Sequence, residues 1–224
     1  MGKRVLLVEG KDDLHVMCNL FKVRKVPKAF EVECPESDQD ADENGGIEKL
    51  LDAVPRRLLE SDLERLAVVM DADDKGPKIR WTQVRDRLRN RGYDGVPDDF
   101  PKDEVLQLSL RPRTQRSVRF AMWVMPDNDS DGMLEDFVAN LIPRDDQMHP
   151  LVDGFLDSIP EGKRRFKPRH RPKARVHSWL AVQEDPGKPM GQAIQAKYLD
   201  TNREVVEPFL KWITDVLITD GEQP

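Results

Sequence analysis

The chain has 224 residues, 38% of them hydrophobic and 35% charged, with a net charge of −6. That length allows one large or two small domains with a sizeable core, and no apolar run approaches the roughly 20 residues that a membrane helix needs. The negative balance argues against non-specific coating of DNA, and two cysteines, Cys18 and Cys34, supply neither a disulfide framework nor a four-thiolate zinc site.

The run Arg4-Val5-Leu6-Leu7-Val8 reads as a short strand ending in Glu9-Gly10. It lacks the longer apolar core of a signal peptide, and a reducing, cytoplasmic protein is expected. Leu14, Val16, Met17, Leu20 and Phe21 then fall at helical spacing, with Asp12 as the expected N-cap and Asp13 in the first turn. Cys18 is expected to face the core of this helix. Residues 29–34 alternate as a second strand, and 47–59 carry an amphipathic helix. Residues 66–70 form an apolar, partly β-branched run that meets Asp71, Asp73 and Asp74, the pattern of a buried parallel strand with acids at its C-terminal mouth. A helix is expected from about Pro77 to Arg91, closed by Gly92. Residues 105–110 and 118–125 read as two further strands, the second ending in the acid-rich stretch 127–131 ahead of a helix over 133–141.

Strands alternating with helices argue an α/β domain with a parallel sheet over residues 1–145. From 146 to 224 the pattern becomes helical, a C-terminal extension expected to pack on the first domain. Helices are expected at 148–159, 173–183, 191–198 and 203–217. Trp81, Trp123, Trp179 and Trp212 lie in apolar patterns and read as core. His15 reads as a helix-surface residue, while His177 shares a helical face with Lys173.

The charge is unevenly spread. Residues 35–48 hold six acids and no Lys or Arg, and residues 163–175 hold eight Lys or Arg and no acid. The basic stretch leaves a local polyanion contact open. Arg111, Arg113 and Arg116, between the two later strands, could also track a nucleic-acid backbone with Lys163, Arg164 and Arg165.

Acids therefore stand at three strand mouths: Glu9 with Asp13, Asp71 with Asp73, and Asp131 with Glu135. In open α/β sheets ligands bind at that edge. Two unit charges ~4 Å apart repel by about 4 kcal/mol at an effective dielectric of ~20, so such a cluster calls for a cation between its members. Hard oxygen donors point to Mg²⁺ or Mn²⁺. The competing reading is that these acids only cap helices and open loops.

On Leu7-Val8-Glu9-Gly10 and Val69-Met70-Asp71-Ala72-Asp73 the sequence resembles the Toprim domain of topoisomerases, bacterial-type primases and the overcoming-lysogenization-defect (OLD) nucleases. The acid four residues after Glu9, Asp13, and the element Gly132-Met133-Leu134-Glu135-Asp136 are similar to the OLD branch and to small stand-alone Toprim proteins. The resemblance implies a Toprim-like Rossmannoid sheet flanked by helices. It also implies a metal site of Glu9, Asp13, Asp71, Asp73, Asp131 and Glu135, with Lys173 as the assisting lysine. No Gly-x-x-x-x-Gly-Lys-Ser/Thr loop is present, so any nucleotide control would need a separate ATPase as partner. Topoisomerase chemistry lacks a supported tyrosine nucleophile, since Tyr93 and Tyr198 lie in no such motif. Primase chemistry lacks a zinc module.

The expected chemistry is hydrolysis of a phosphodiester in nucleic acid, DNA before RNA, with one or two divalent cations. Glu9 would act as ligand or base, and Lys173 would offset charge developing on the phosphate. The alternative is a non-catalytic regulatory or defence subunit that binds metal or nucleotide and acts with a partner ATPase. No membrane contact is expected, and a homodimer is allowed.

Overall fold

A computed structural model describes residues 2–35, 45–110 and 116–219. Its strands are β1 (Lys3–Leu7), β2 (Glu31–Glu33), β3 (Leu63–Asp71), β4 (Tyr93–Asp94), β5 (Leu106–Leu110) and β6 (Ser117–Met125). The helices are α1 (Lys11–Val23), α2 (Gly45–Arg57), α3 (Gly76–Asn90), α4 (Leu134–Ala139), α5 (Met148–Ser158), α6 (Arg171–Ala181), α7 (Met190–Gln195) and α8 (Glu207–Ile213). Tight 3₁₀ turns at Glu161–Lys163 and Pro168–His170 carry the basic stretch between α5 and α6, and a π turn at Thr214–Ile218 continues α8.

The strands form one six-stranded sheet in the order β2-β1-β3-β6-β5-β4. β2, β1, β3 and β6 are parallel. β5 and β4 are antiparallel additions at the β6 edge. The fold is thus α/β and Rossmann-like, with a mixed rather than wholly parallel sheet. The reason lies in chain length. Only residues 111–116 join β5 to β6, too few for the dozen or more that a parallel crossover takes.

Both faces of the sheet are covered, which explains the unbroken apolar runs. Val5, Leu7, Leu66, Val68, Met70, Phe120 and Met122 pack with Leu50, Leu51 and Val54 of α2 and Trp81, Val84 and Leu88 of α3. Leu6, Val8, Ala67, Val69, Ala121 and Trp123 pack with α1 and with apolar residues of α4 to α8. Residues beyond 146 therefore share a core with the sheet. Phe209 of α8 is its aromatic centre, with ring centroids 5.3 Å from Trp123 and 5.8 Å from Phe137. All four tryptophans are buried.

Two local expectations fail in α1. Gly10, not Asp12, is the N-cap, and it makes no side-chain cap bond. Cys18 is exposed, because the buried stripe runs through Asp13, Val16, Met17, Leu20 and Phe21 and position 18 falls outside it at 3.6 residues per turn.

At the N-terminal edge of the sheet, Arg4, Arg65 and Arg119 stand in register on β1, β3 and β6. They close the C-terminal end of the last helix. Arg4 donates to the carbonyls of Leu217 and Ile218, both at 3.1 Å. Arg65 donates to Val216 (3.3 Å) and Thr219 (2.7 Å), and Arg119 reaches the Asp215 carbonyl at 3.5 Å. Glu64 pairs with both Arg4 (3.2 Å) and Arg65 (3.1 Å). Guanidinium groups at a helix C-terminus meet orphan carbonyls and the negative end of the dipole together.

Candidate active site

From β1 the chain runs outward to β2 on one side, then returns to β3 on the other. The strand order therefore reverses between β1 and β3, and the crevice outside their carboxyl ends is where such sheets bind ligands. Glu9 follows β1 and Asp71 ends β3, so both face this crevice. The backbone N–H of Asp71 donates to Glu9 Oε2 at 3.4 Å.

The other mouths are drawn in by the backbone. Asp73 and Gly132 exchange two N–H···O bonds, of 2.7 and 2.9 Å, which tie the loop after β3 to the loop after β6. Gly132 has φ 139°, a value that L side chains rarely adopt. The tie brings the start of α4 against Asp71, and the Leu134 N–H donates to Asp71 Oδ1 at 2.8 Å. Glu135 is the next residue and is 4% exposed. Asp13, in the first turn of α1, is 9% exposed and lies beside Gly10, where an added Cβ would sit 3.6 Å from Asp13 Oδ2. On the far side, Lys173 in the first turn of α6 places Nζ 3.7 Å from Glu135 Oε1.

Four carboxyls thus gather from three strand mouths: Glu9, Asp13, Asp71 and Glu135. Their proton affinities record it. Burial, then the charge of Glu9, pushes Asp13 up from 3.8 to about 7. Burial raises Asp71 well above its ordinary value, and the charges of Asp13, Glu9 and Glu135 add to it. Burial also raises Glu9 and Glu135. Burial alone would lower Lys173, but the charges of Glu135, Asp71, Glu9 and Asp13 outweigh it and raise the ammonium. Asp13 Oδ1 and Glu135 Oε2 are buried and accept no hydrogen bond, the costly condition for a polar group.

Asp73 stands at the edge of this group, where its charge also raises Glu9, and Asp131 lies outside it. Asp73, at φ 53°, turns its carboxylate onto the guanidinium of Arg80, which is 1% exposed. The same guanidinium donates to the Asp71 carbonyl at 2.8 Å and to Gln83 at 3.1 Å. Asp131 is exposed and lies by the start of α3, where a Cβ on Gly76 would come 2.9 Å from its Oδ1.

Of the expected nucleic-acid contacts, Arg111 and Arg113 lie outside the described residues. Arg116 precedes β6, at the edge of the sheet away from the acids, and donates to the Glu60 carbonyl. Lys163 and Arg165 are exposed, and the Arg164 guanidinium lies 5.6 Å from the centre of the Phe166 ring. Arg171 and Arg175 are engaged by Asp157 (2.8 Å) and Asp153 (2.7 Å), which anchor the basic stretch to α5.

A cleft of about 380 Å³ opens on the group. Glu9, Asp71 and Asp73 line it, and Lys75, Arg80, Arg169, His170 and Lys173 surround them. The start of α2 closes one side so tightly that a Cβ on Gly46 would come 3.1 Å from Glu9 Oε1.

The chain belongs to the family described as "Protein of unknown function (DUF3226)", which matches residues 3–218. No curated protein and no solved structure matches it. The family description carries no activity, so the Toprim resemblance rests on the motifs alone.

Sequence reasoning singled out neither Lys75 nor Arg80, which line the cleft. Arg169 and His170 lie inside the basic stretch whose neighbours were singled out. Nothing in the sequence marks Arg80, because its pairing depends on the turn at Asp73.

Does the donor set suit a divalent cation? Among the described residues no group of three or more His, Cys, Asp or Glu stands ready to hold a metal ion. The carboxylates are turned onto neighbouring donors instead, Asp71 onto Leu134 and Glu9 onto Asp71. Yet the donors are all hard oxygens, the charges are of one sign, and two buried carboxylate oxygens lack partners. In donor chemistry the residues fit.

Proposed function

We propose that this protein hydrolyses phosphodiester bonds in nucleic acid with the help of a divalent cation, Mg²⁺ or Mn²⁺. One observation carries the reading: four carboxyls from three strand mouths, Asp13 and Glu135 buried and Glu9 and Asp71 half-buried, meet at the reversal point of the sheet, with Lys173 against them and a basic rim around them. Glu9, Asp13, Asp71 and Glu135 would hold the cation, which when bound supplies Lewis acidity to a phosphoryl oxygen.

The chain's own residues supply the rest. Lys173 stays charged and lies beside Glu135, where it can offset negative charge growing on the phosphate. Glu9, which lines the cleft at the mouth of β1, would serve either as a ligand or as the base that takes a proton from an attacking water. Asp71 is fixed by the Leu134 N–H and keeps the mouth of β3 in place. Lys75, Arg169 and His170 line the rim over which a phosphate backbone would pass. The Toprim resemblance points to the same chemistry by a separate route.

The test is direct. Purified protein is incubated with supercoiled plasmid, single-stranded DNA and RNA in Mg²⁺ or Mn²⁺, beside Glu9→Gln and Asp71→Asn. Cleavage that both substitutions abolish supports the proposal. Cleavage that survives them removes it. Cation binding without cleavage of any substrate moves the reading to a regulatory subunit that acts with a separate ATPase.

A further inference from the structure

We infer that the substrate is a single strand, and that a nucleotide beside the scissile phosphate lies in a second groove between the start of α3 and the loop residues 98–102, with its base on Phe100 and its phosphate at Lys75 and Lys78. The inference deepens the phosphodiester reading of the cleft and rests on it.

The groove follows from the turn out of β3. Lys75-Gly76-Pro77-Lys78 leads into α3, with Gly76 at φ 75° and Pro77 in the first helical turn. Gly76 and Pro77 are buried, and an exposed lysine is left on each side of them. Lys75 stands in the wall of the carboxylate cleft and also in the wall of a neighbouring cavity of about 690 Å³. That volume falls within the roughly 300–1,000 Å³ of small-ligand sites. The cavity walls are braced by the chain itself. The Trp81 indole N–H donates to the Pro97 carbonyl at 3.3 Å, Asn128 donates to Asp103 at 3.0 Å, and Lys102 pairs with Asp129 at 2.7 Å. A groove already held in shape loses less on binding than one that must first be ordered.

Charge and apolar surface in the groove suit a nucleotide. Of its acids, Asp98 is taken by Arg89 at 2.7 Å and Asp129 by Lys102, while Arg85 is engaged by Asp86 at 2.9 Å. Lys75 and Lys78 have no acidic partner among the described residues. Two spare ammonium groups therefore face the carboxylate of Asp99. Pro77, Trp81 and Phe100 supply the apolar wall, and of these Phe100 is half-buried while the other two are buried. An aromatic ring beside cations is the pairing that holds unpaired bases and their phosphates. The same features select the form of the strand. A duplex turns its phosphates outward and could reach both lysines. Its bases are stacked inside, and none could lie on Phe100 without leaving the stack.

The test is binding of a short labelled oligothymidylate to the full chain, alone and annealed to its complement, read by fluorescence anisotropy at low salt in EDTA, where no cation-dependent cleavage competes. The single strand should bind about 10-fold or more tighter than the duplex, because only it can place a base without unstacking. Lys78→Ala should lower the magnitude of the slope of log affinity against log salt by about 0.7. Phe100→Leu, which keeps an apolar side chain against the core, should weaken binding by about 5-fold or more through the lost stack and leave that slope unchanged. A strand carrying photoreactive thiothymidine should crosslink to residues 75–78 or 98–102, located by mass spectrometry, and this arm needs no variant to fold. Equal affinity for the two forms, crosslinks confined to residues 163–173, or a native affinity that Phe100→Leu does not change would overturn the inference while leaving phosphodiester hydrolysis standing. Binding as expected by a chain that cleaves no nucleic acid in Mg²⁺ or Mn²⁺ would remove the hydrolysis and keep the groove as a single-strand site.

Discussion

The two ends of the central sheet handle buried charge in opposite ways. At the N-terminal edge Arg4, Arg65 and Arg119 lie side by side, yet they meet Glu64 and a run of helix-terminal carbonyls. At the C-terminal edge Glu9, Asp13, Asp71 and Glu135 are gathered with Lys173 beside Glu135 and Arg80 against the Asp71 carbonyl, and two of their oxygens are left without partners. The first end joins the last helix to the sheet. The second costs stability in the absence of something positive. Buried charge that is matched reads as architecture, and buried charge of one sign at a ligand-binding edge reads as function.

Substitution should separate the ends by sign, and the largest effect belongs to the arginine end. Arg65→Met leaves the carbonyls of Val216 and Thr219 unmet and Glu64 short of a partner. A loss of about 3–5 kcal/mol is expected, from two hydrogen bonds of a charged donor at about 1.5–3 kcal/mol each. Asp71→Asn in EDTA should go the other way and stabilise, because it removes one of the mutually repelling charges. Urea midpoints of the two variants and the native chain measure both. Equal destabilisation by the two would erase the contrast.

Next in size is a pH effect confined to the acid end. Asp13 has its affinity raised from 3.8 to about 7 in the folded chain. The folded state therefore holds a proton that the unfolded chain releases at lower pH. The stability this proton contributes is complete below about pH 4 and is lost as pH rises through about 7. The full loss is about 4 kcal/mol, of which about 3 falls between pH 5 and 8. Thermal melts in EDTA between pH 5 and 8 should show it, and Asp13→Asn should flatten the curve.

A cation should reverse that loss. At a concentration 100 times its dissociation constant, a ligand that binds only the folded state adds about 2.7 kcal/mol. For a chain of this length that corresponds to a rise in Tm of roughly 5–10 °C. Mn²⁺ at pH 7.5 should raise the native Tm by this amount and leave Asp71→Asn unmoved.

Why the acid end was legible in the sequence, and the arginine end was not, follows from what each depends on. Apolar parallel strands must end somewhere, and Glu9 and Asp71 follow such runs directly. Asp13 and Glu135 sit in first helical turns next to those ends, so their convergence needed only the β/α order. Asp73 could not be separated from Asp71 on spacing. A positive φ and the reach of Arg80 from α3 decide its direction, and both are tertiary facts. Arg116, just ahead of 117–125, was read as part of a nucleic-acid track, although a strand parallel to β3 must carry its first residues to the opposite edge. The antiparallel direction of β5 was implicit in the short connection to β6. Cys18 was misread because an apolar residue beside a buried stripe can fall on either flank of it.

The smallest effect expected concerns the basic stretch, and it uses the arginine end as its control. Lys163, Arg165 and Lys167 are exposed on the connection that leads to Arg169, His170 and Lys173 at the cleft rim. Arg116 is equally cationic but is committed to the Glu60 carbonyl at the far edge. If a single strand passes over the rim, each phosphate neutralised contributes about 0.7 to the slope of log affinity against log salt. Lys163→Ala with Lys167→Ala should therefore lower the magnitude of that slope by about 1.4 at most, with little change in Tm, as expected for exposed side chains without acidic partners among the described residues. Arg116→Ala should leave the slope alone and lower the Tm. A salt slope that falls with Arg116 and not with the lysines would put the polyanion at the wrong end of the sheet, where it could not reach the carboxyls at all.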